Sequence, residues 1–534
     1  MRWLFLMCFV ATSAGALTWE RIYGNVYCDA GQNVRQTSDS GYVVCGYTYK
    51  GDTSYVYLIK LNAIGDTEWT RKYGKSGWLF NYGFSVRQTS DGGYIICGSC
   101  VIKVDANGDT EWTRPYGGYD VEQTFDGGYI ICGYNVFLVK LDAKGDTEWT
   151  RAYGDGDALP DYGTSIRQTS DSGYIVCGTY DFKWDSCGDV FLLKINANGD
   201  TEWTRTYGGS GTDCGNCVHQ TSDGGYIICG YTGSYGAGGD IYLLKVNANG
   251  DTEWTRTYGG SDYDYGYSVW QTSDGGYIIC GCTESYGAGC KDIYLIKVNA
   301  NGDTEWTRTY GGSKNDYGFS VQQTSDGGYI ICGSTYSYGA GEDDVYLLKV
   351  NINGGFCNIN IIEPNGDENW LAGSVHSIKI KNRRYYVNMS HLKMLFTPDG
   401  QNYSILADSI PYRDTLECDV ILPNVNSSQC RIKVEAYDTA GKLVAVRISN
   451  PFTVRTMEIT ENAQKSKMRI TYDENWIRIG CQNNLTLMLY DVNGRRIKKV
   501  NARKMWIGDV PEGIYFLRIK NAKEEKFVKI VKLK

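Results

Sequence analysis

The chain of 534 residues carries nineteen cysteines but only three histidines. Histidine is the commonest general base and a principal zinc ligand, so its scarcity restricts both chemistries. His219, His376 and His391 fall in separate segments, with no Ser-His-Asp or Cys-His set at credible spacing and no H-E-x-x-H. They read as core or surface residues. Seven cysteines (Cys45, Cys97, Cys132, Cys177, Cys229, Cys280 and Cys332) hold one position of a repeated segment, where a small apolar residue suits crowded packing. A metal-binding thiol ring would need them closer together than equivalent positions of successive repeats should lie. Cys187, Cys214, Cys217, Cys282 and Cys290 sit at or beside expected loops, where an oxidising compartment allows disulfides. Cys214-Gly-Asn-Cys217 has CxxC spacing without a second pair, and Cys418 with Cys430 is a candidate bridge. The recurrent Asn-Gly-Asp lacks the frame and distal Glu of a calcium loop. No spacing selects two carboxylates for glycoside hydrolysis. No catalytic residue, metal ligand or cofactor is assigned.

The elements that must position any site are repeats. Tryptophans recur at Trp19, Trp69, Trp112, Trp149, Trp203, Trp254 and Trp306, spaced 37 to 54 residues apart. A second motif, QTSDGGYIICG or a close variant, begins at Gln36, Gln88, Gln123, Gln168, Gln220, Gln271 and Gln323. Within one copy, YSVWQT and YIICGCT flank the turn SDGG, and DIYLIKVN and TEWTRTYG flank an Asn-Gly turn. Four antiparallel strands per copy, with near-continuous apolar runs such as Tyr-Ile-Ile-Cys, predict small sheets buried on both faces. Abundant glycine (66) and tyrosine (44) beside 8 prolines agree with an all-β chain. The repeat begins with an isolated fourth strand, Thr18 to Gly24, and ends after a third strand at Val345 to Gly354. Pairing the two would protect an exposed edge and close a ring. The expected fold is therefore all-β: a seven-bladed β-propeller over residues 17–355, followed by two small β-sandwich domains.

The stretch WTRTYGGSDYDYGYSVWQTSDGGYIICGCTESYGAG resembles the bacterial β-propeller repeat family of secreted and surface proteins, over residues 18 to about 355. The strand, Asn-Gly turn and Trp order also resembles the tryptophan-docking motif of quinoprotein propellers. That resemblance implies a structural role for the seven tryptophans, each locking neighbouring repeats.

Residues 356–456 carry short strands spaced as in a sandwich and resemble an immunoglobulin- or fibronectin-like accessory domain. Charge shifts at Met457: the remainder holds 17 Lys+Arg against 9 Asp+Glu, net +8, which leaves −16 for the rest of the chain. Within residues 457–534, LMLYDVNGRRI, GDVPEGIYFLRIKN and the Lys-rich terminal strand resemble the C-terminal sorting domain of type IX secretion substrates. That implies export machinery as a partner and a final place outside the outer membrane. Residues 1–16, with Arg2, an apolar run and Ala14-Gly15-Ala16, read as a cleaved signal peptide too short to span a bilayer. The acidic balance of the repeats disfavours nucleic acid.

The constant turns SDGG and NANGD share one face of the expected fold, and length changes fall on the other. Gly-rich loops there present Trp78, Tyr82, Tyr180, Trp184, Tyr235, Asp240, Tyr263, Tyr265, Tyr286, Tyr317 and Tyr338 as candidate ligand contacts. Binding of an extracellular glycan or protein is the preferred function. The alternatives are a secreted polysaccharide hydrolase or lyase, favoured if two carboxylates converge centrally, and a purely structural surface component.

Overall fold

The computed structural model describes residues 17–532 except 75–80, 154–161, 181–187, 386, 456–468, 474–475, 481–484, 492–494, 503, 507–508, 510–512 and 521–524. The proposed signal peptide lies outside the described residues. Two units are distinguished, Met1–Phe356 and Cys357–Lys534.

In the first unit the described strands form seven four-stranded antiparallel sheets. One is typical: Asp264–Gln271, Tyr277–Thr283, Asp292–Val298 and Thr304–Tyr310 pair in chain order. The second and third strands are buried along their whole length, Tyr277–Thr283 and Asp292–Val298 alike, whereas Thr304–Tyr310 alternates toward solvent. Trp19–Tyr23 pairs antiparallel with Asp344–Val350, in register Trp19 to Lys349, and so completes the sheet of the last repeat. The first strand of each sheet packs on that of the next, and Asp29–Gln36 packs both on Gly83–Gln88 and on Asp316–Gln323.

Constant residues of the motif make the contacts between sheets. Each motif glutamine accepts a hydrogen bond from a backbone N–H in the turn of the sheet before it, as Gln271 Oε1 does from Ser222 at 2.9 Å and Gln36 Oε1 from Ser325 at 2.8 Å. Each Trp packs on the Tyr of the next sheet's second strand, edge-on in six of the seven pairs; Trp254 and Tyr277 have ring centres 6.0 Å apart. The same indole lies under the next Asn-Gly turn, where Tyr258 donates to the Gly302 carbonyl at 2.6 Å. The seven repeat cysteines are fully buried. Five of them fit beneath a glycine of the next sheet: a Cβ on Gly266 would stand 2.5 Å from Cys229 Sγ. Burial raises these thiols, Cys45 to about 12, consistent with packing rather than reactivity.

The seven-bladed β-propeller expected from the repeat is corrected to a coarser class, all-β with many small four-stranded sheets. Four short strands per repeat with two buried faces dictate the sheet as a unit, and such sheets also build sandwich-like modules; period and composition do not choose between them.

The second unit holds a three-stranded sheet (Phe356–Glu363, Val375–Tyr385, Thr415–Ile421) and a larger one centred on Met389–Thr397 and Ser427–Asp438. Between them lies a core including Ile378, Leu392, Phe396, Ile432 and Phe452. Farther on, Thr486–Asp491 pairs with Arg496–Val500 and Gly513–Lys520, and the latter with Glu525–Lys532. Leu487, Leu489, Leu517 and Ile519 form their core. No helix among the described residues is long and apolar enough to cross a membrane.

Candidate functional site

The site lies where the seven first strands converge. Side chains two apart on a strand share a face, and the residue just before each motif glutamine points into one cavity. These residues are Arg35, Arg87, Glu122, Arg167, His219, Trp270 and Gln322, around a volume of about 690 Å³ whose mouth is formed by turn residues such as Ser38 and Ser325. Two residues earlier, Asn33, Ser85, Asp120, Ser165, Cys217 and Ser268 line a second cavity of about 260 Å³ toward the variable loops. Arg35 and Arg167 border both.

A backbone irregularity supplies the rest of the smaller cavity. In six of the seven first strands the register slips by one residue after a glycine, as between Gly266 and Ser268. A bulge leaves one extra residue unpaired and re-aims it. That residue is Gln32, Phe84, Thr164, Asn216, Tyr267 or Phe319, and all six line the cavity.

Asp120 is the electrostatic hub. Its carboxylate binds Arg87 at 3.0 Å and, still more closely, Arg167, and it accepts from Ser85 Oγ at 2.6 Å. Burial alone would raise its pKa, but Arg167 and Arg87 hold it well below the usual carboxylate range. Glu122 is raised by burial, against the pull of the same two arginines. His219 is driven well below the ordinary imidazole value by burial and then by Arg167, Arg35 and Arg87, so it is neutral at pH 7. Its ring packs on Trp270 at 4.6 Å. Arg35 has no carboxylate partner among the described residues: its Nη1 donates to the Val34 carbonyl at 2.8 Å and reaches Ser320 Oγ at 3.4 Å, and its guanidinium lies 5.7 Å from the Trp270 ring centre. Three arginines against two carboxylates leave the region net positive. Asp120 and Glu122 line different cavities, so they do not form a pair across one bound glycosidic bond.

The predicted loop contacts divide. Tyr82, Tyr263, Tyr265 and Tyr317 belong to two runs of touching rings on the variable-loop side. One runs through Tyr47, Tyr82, Phe84, Tyr119 and Tyr162. The other passes from Tyr231 through Tyr265, Tyr267 and Phe319 to Tyr317, with Tyr263 stacked on Tyr265. Lys291 lies over both Tyr265 and Tyr317. Tyr235, Tyr286 and Tyr338 instead donate their hydroxyls to the carbonyls of Gly208, Gly259 and Gly311, which ties each loop to the connection that precedes the first strand of its sheet. Tyr180 packs on Phe191. Asp240 is buried and accepts the Ala237 N–H, so it is a loop brace and not an exposed contact. Trp78 and Trp184 lie outside the described residues, as does Cys187. Cys214, Cys217 and Cys282 fall within strands rather than loops, and they, Cys290, Cys418 and Cys430 are free thiols. Among the described residues no group of three or more His, Cys, Asp or Glu is placed to hold a metal.

Reading the loops missed the column Arg35, Arg87, Glu122, Arg167, His219, Trp270 and Gln322. Its signal was variation at a single position held between a constant Val or Ile and the constant Gln of the first strand.

No curated protein matches the chain. Among solved structures it is similar to the fibronectin(III)-like modules of Clostridium thermocellum CbhA, 16% identical over 32% of this chain and 93% of that one, with a TM-score of 0.13. The fold class stands as all-β with many small four-stranded sheets. Residues 462–533 match the secretion system C-terminal sorting domain family, inside the 457–534 segment where the basic strands were read. That domain marks proteins carried by the type IX system, and the chain is accordingly exported to the cell surface or the extracellular space.

Proposed function

We propose that this is an extracellular glycan-binding protein whose sorting domain delivers it outside the cell. One observation carries the reading: the aromatic run Tyr231, Tyr265, Tyr267, Phe319 and Tyr317 leads to a small cavity into which Gln32, Thr164 and Asn216 also project. Ring faces stack on the apolar faces of sugars, while a few amides and hydroxyls select the orientation of their hydroxyl groups. A concave site of about 260 Å³ suits one sugar unit better than the broad, flat contact of a protein partner. Glycan-array screening of the full chain tests this. Tyr265→Ala should weaken capture at least about tenfold, equivalent to roughly 1.4 kcal/mol. Phe125→Ala, at an exposed turn, should leave capture unchanged. Absence of glycan capture, or equal capture by Tyr265→Ala, rejects the reading.

A further inference from the structure

We infer that the larger cavity, on the side of the constant turns, binds a small organic carboxylate through Arg35. This site is separate from the glycan contacts and does not rest on them. The chain carries three arginines to a place where it supplies two carboxylates. Asp120 pairs with Arg87 and Arg167, and Glu122 lies in the field of the same two, so Arg35, which feels Asp120 only at a distance, is the cation that makes no ion pair among the described residues. Arg35 is only 8% exposed, and a buried cation without a counter-ion is unfavourable unless a ligand supplies the charge. Among the described residues only its Nη1 makes a hydrogen bond to protein, so the rest of the fork remains to bind a carboxylate, a planar anion that guanidinium recognises through two parallel hydrogen bonds.

The walls fit a flat organic body attached to that acid. Trp270 and the neutral ring of His219 form an aromatic corner beside Arg35, and Gln322 adds an amide. A volume of about 690 Å³ lies in the usual range for small-molecule sites.

The probe is benzoate, compared with the neutral benzamide, with acetate and with sulfate, in calorimetry and thermal shift on the full chain. Benzoate should bind and raise the melting temperature, benzamide should not, and acetate should bind at least threefold more weakly for want of the aromatic contact. Arg35→Met should weaken benzoate at least tenfold. That variant removes an unpaired buried cation, so it should melt at or above the wild-type temperature without ligand, which separates lost binding from lost folding. Arg35→Lys, which keeps the charge without the fork, should also weaken binding. Tyr265→Ala, on the opposite side, should bind benzoate as wild type does. Absence of benzoate binding, undiminished binding in Arg35→Met, or sulfate bound as tightly as benzoate would each overturn the assignment.

Discussion

Replacing Asp326 by Asn should destabilise the first unit far more than the same change at Asp223, although the two aspartates occupy equivalent turns. In six sheets a buried lysine of the third strand is clasped by two carboxylates. Lys245 reaches Asp223 at 3.0 Å, Glu253 at 2.8 Å and the Val246 carbonyl at 3.2 Å. The sheet completed by Trp19–Tyr23 differs, because aligning Trp19 with Trp254 puts Thr18 where the others have Glu. Lys349, 1% exposed at its side chain, bonds Asp326 at 2.9 Å and no other group among the described residues. With an effective dielectric constant of about 20, a pair at 2.9 Å attracts by about 6 kcal/mol before desolvation is subtracted. Stranding one buried member of such a pair typically costs about 3–5 kcal/mol. Asp223→Asn leaves Lys245 its glutamate and should cost about 1 kcal/mol. Both changes disturb the same Thr and Gly hydrogen bonds of the turn, so their difference, about 2–4 kcal/mol, isolates the stranded charge. Burial already lowers the pKa of Lys349. A folded value below the unfolded one favours folding at high pH, so the Asp326→Asn deficit should shrink as pH rises toward about 10. Guanidinium unfolding followed by tryptophan fluorescence at pH 7 and pH 9.5 measures both. Losses for the two variants within about 1 kcal/mol of each other would refute the reasoning.

Stability should peak in mildly acidic solution. Asp39, Asp91, Asp171 and Asp223 are pushed up by partial burial but drawn down to about 2 by their Lys and Thr partners and by turn N–H groups, so their contribution is lost as pH falls from about 4 toward 2. Asp189, Asp240 and Asp292 are raised by burial and by Asp213, Asp264 and Asp316 across the sheet junctions, so their contribution is lost as pH rises through the raised values. A melting temperature that climbs monotonically from pH 4 to pH 8 would exclude the second set. Gly259→Ala should cost about 1–3 kcal/mol, since its Cβ would meet Asp240 Oδ1 at 2.0 Å and Asp264 Oδ2 at 2.4 Å. Gly275→Ala meets nothing within 4 Å and should cost only the strain of its φ of +85°, about 1 kcal/mol; equal losses in urea titrations would discount the junction. Deleting residues 462–533 should leave the chain in the periplasm on cell fractionation, and surface delivery of the truncated protein would contradict the sorting assignment.

Local rules carried far in this chain because its contacts are local and repeated. SDGG, the Asn-Gly turn and the apolar runs between them specify four paired strands, and those strands form where the turns place them. The pairing of Trp19–Tyr23 with Asp344–Val350 was legible for the same reason: the repeat starts and stops out of phase by one strand. The class was not legible, because nothing in a four-stranded unit states how successive units are assembled. The bulge was hidden too, since a glycine at Gly266 marks it only once the register beside it is known.

The central cavities were missed for a sharper reason. Exposed loops vary because little opposes change there, so length differences drew attention to Tyr235, Tyr286 and Tyr338, which tie their loops to a neighbouring connection. Variation inside a buried strand means something else. Val34, Val86, Val121, Ile166, Val218, Val269 and Val321 are all fully buried, and the glutamines two residues later all bridge sheets, yet the residue between takes five chemical identities in seven copies. Close packing would punish such freedom. It is tolerable only where the side chain faces open space, and arginines arrive in such a space at a desolvation cost that mere drift does not explain. Read as columns rather than as segments, the repeat separates positions that build the sheets from the one position where the seven sheets present different chemistry to a shared cavity.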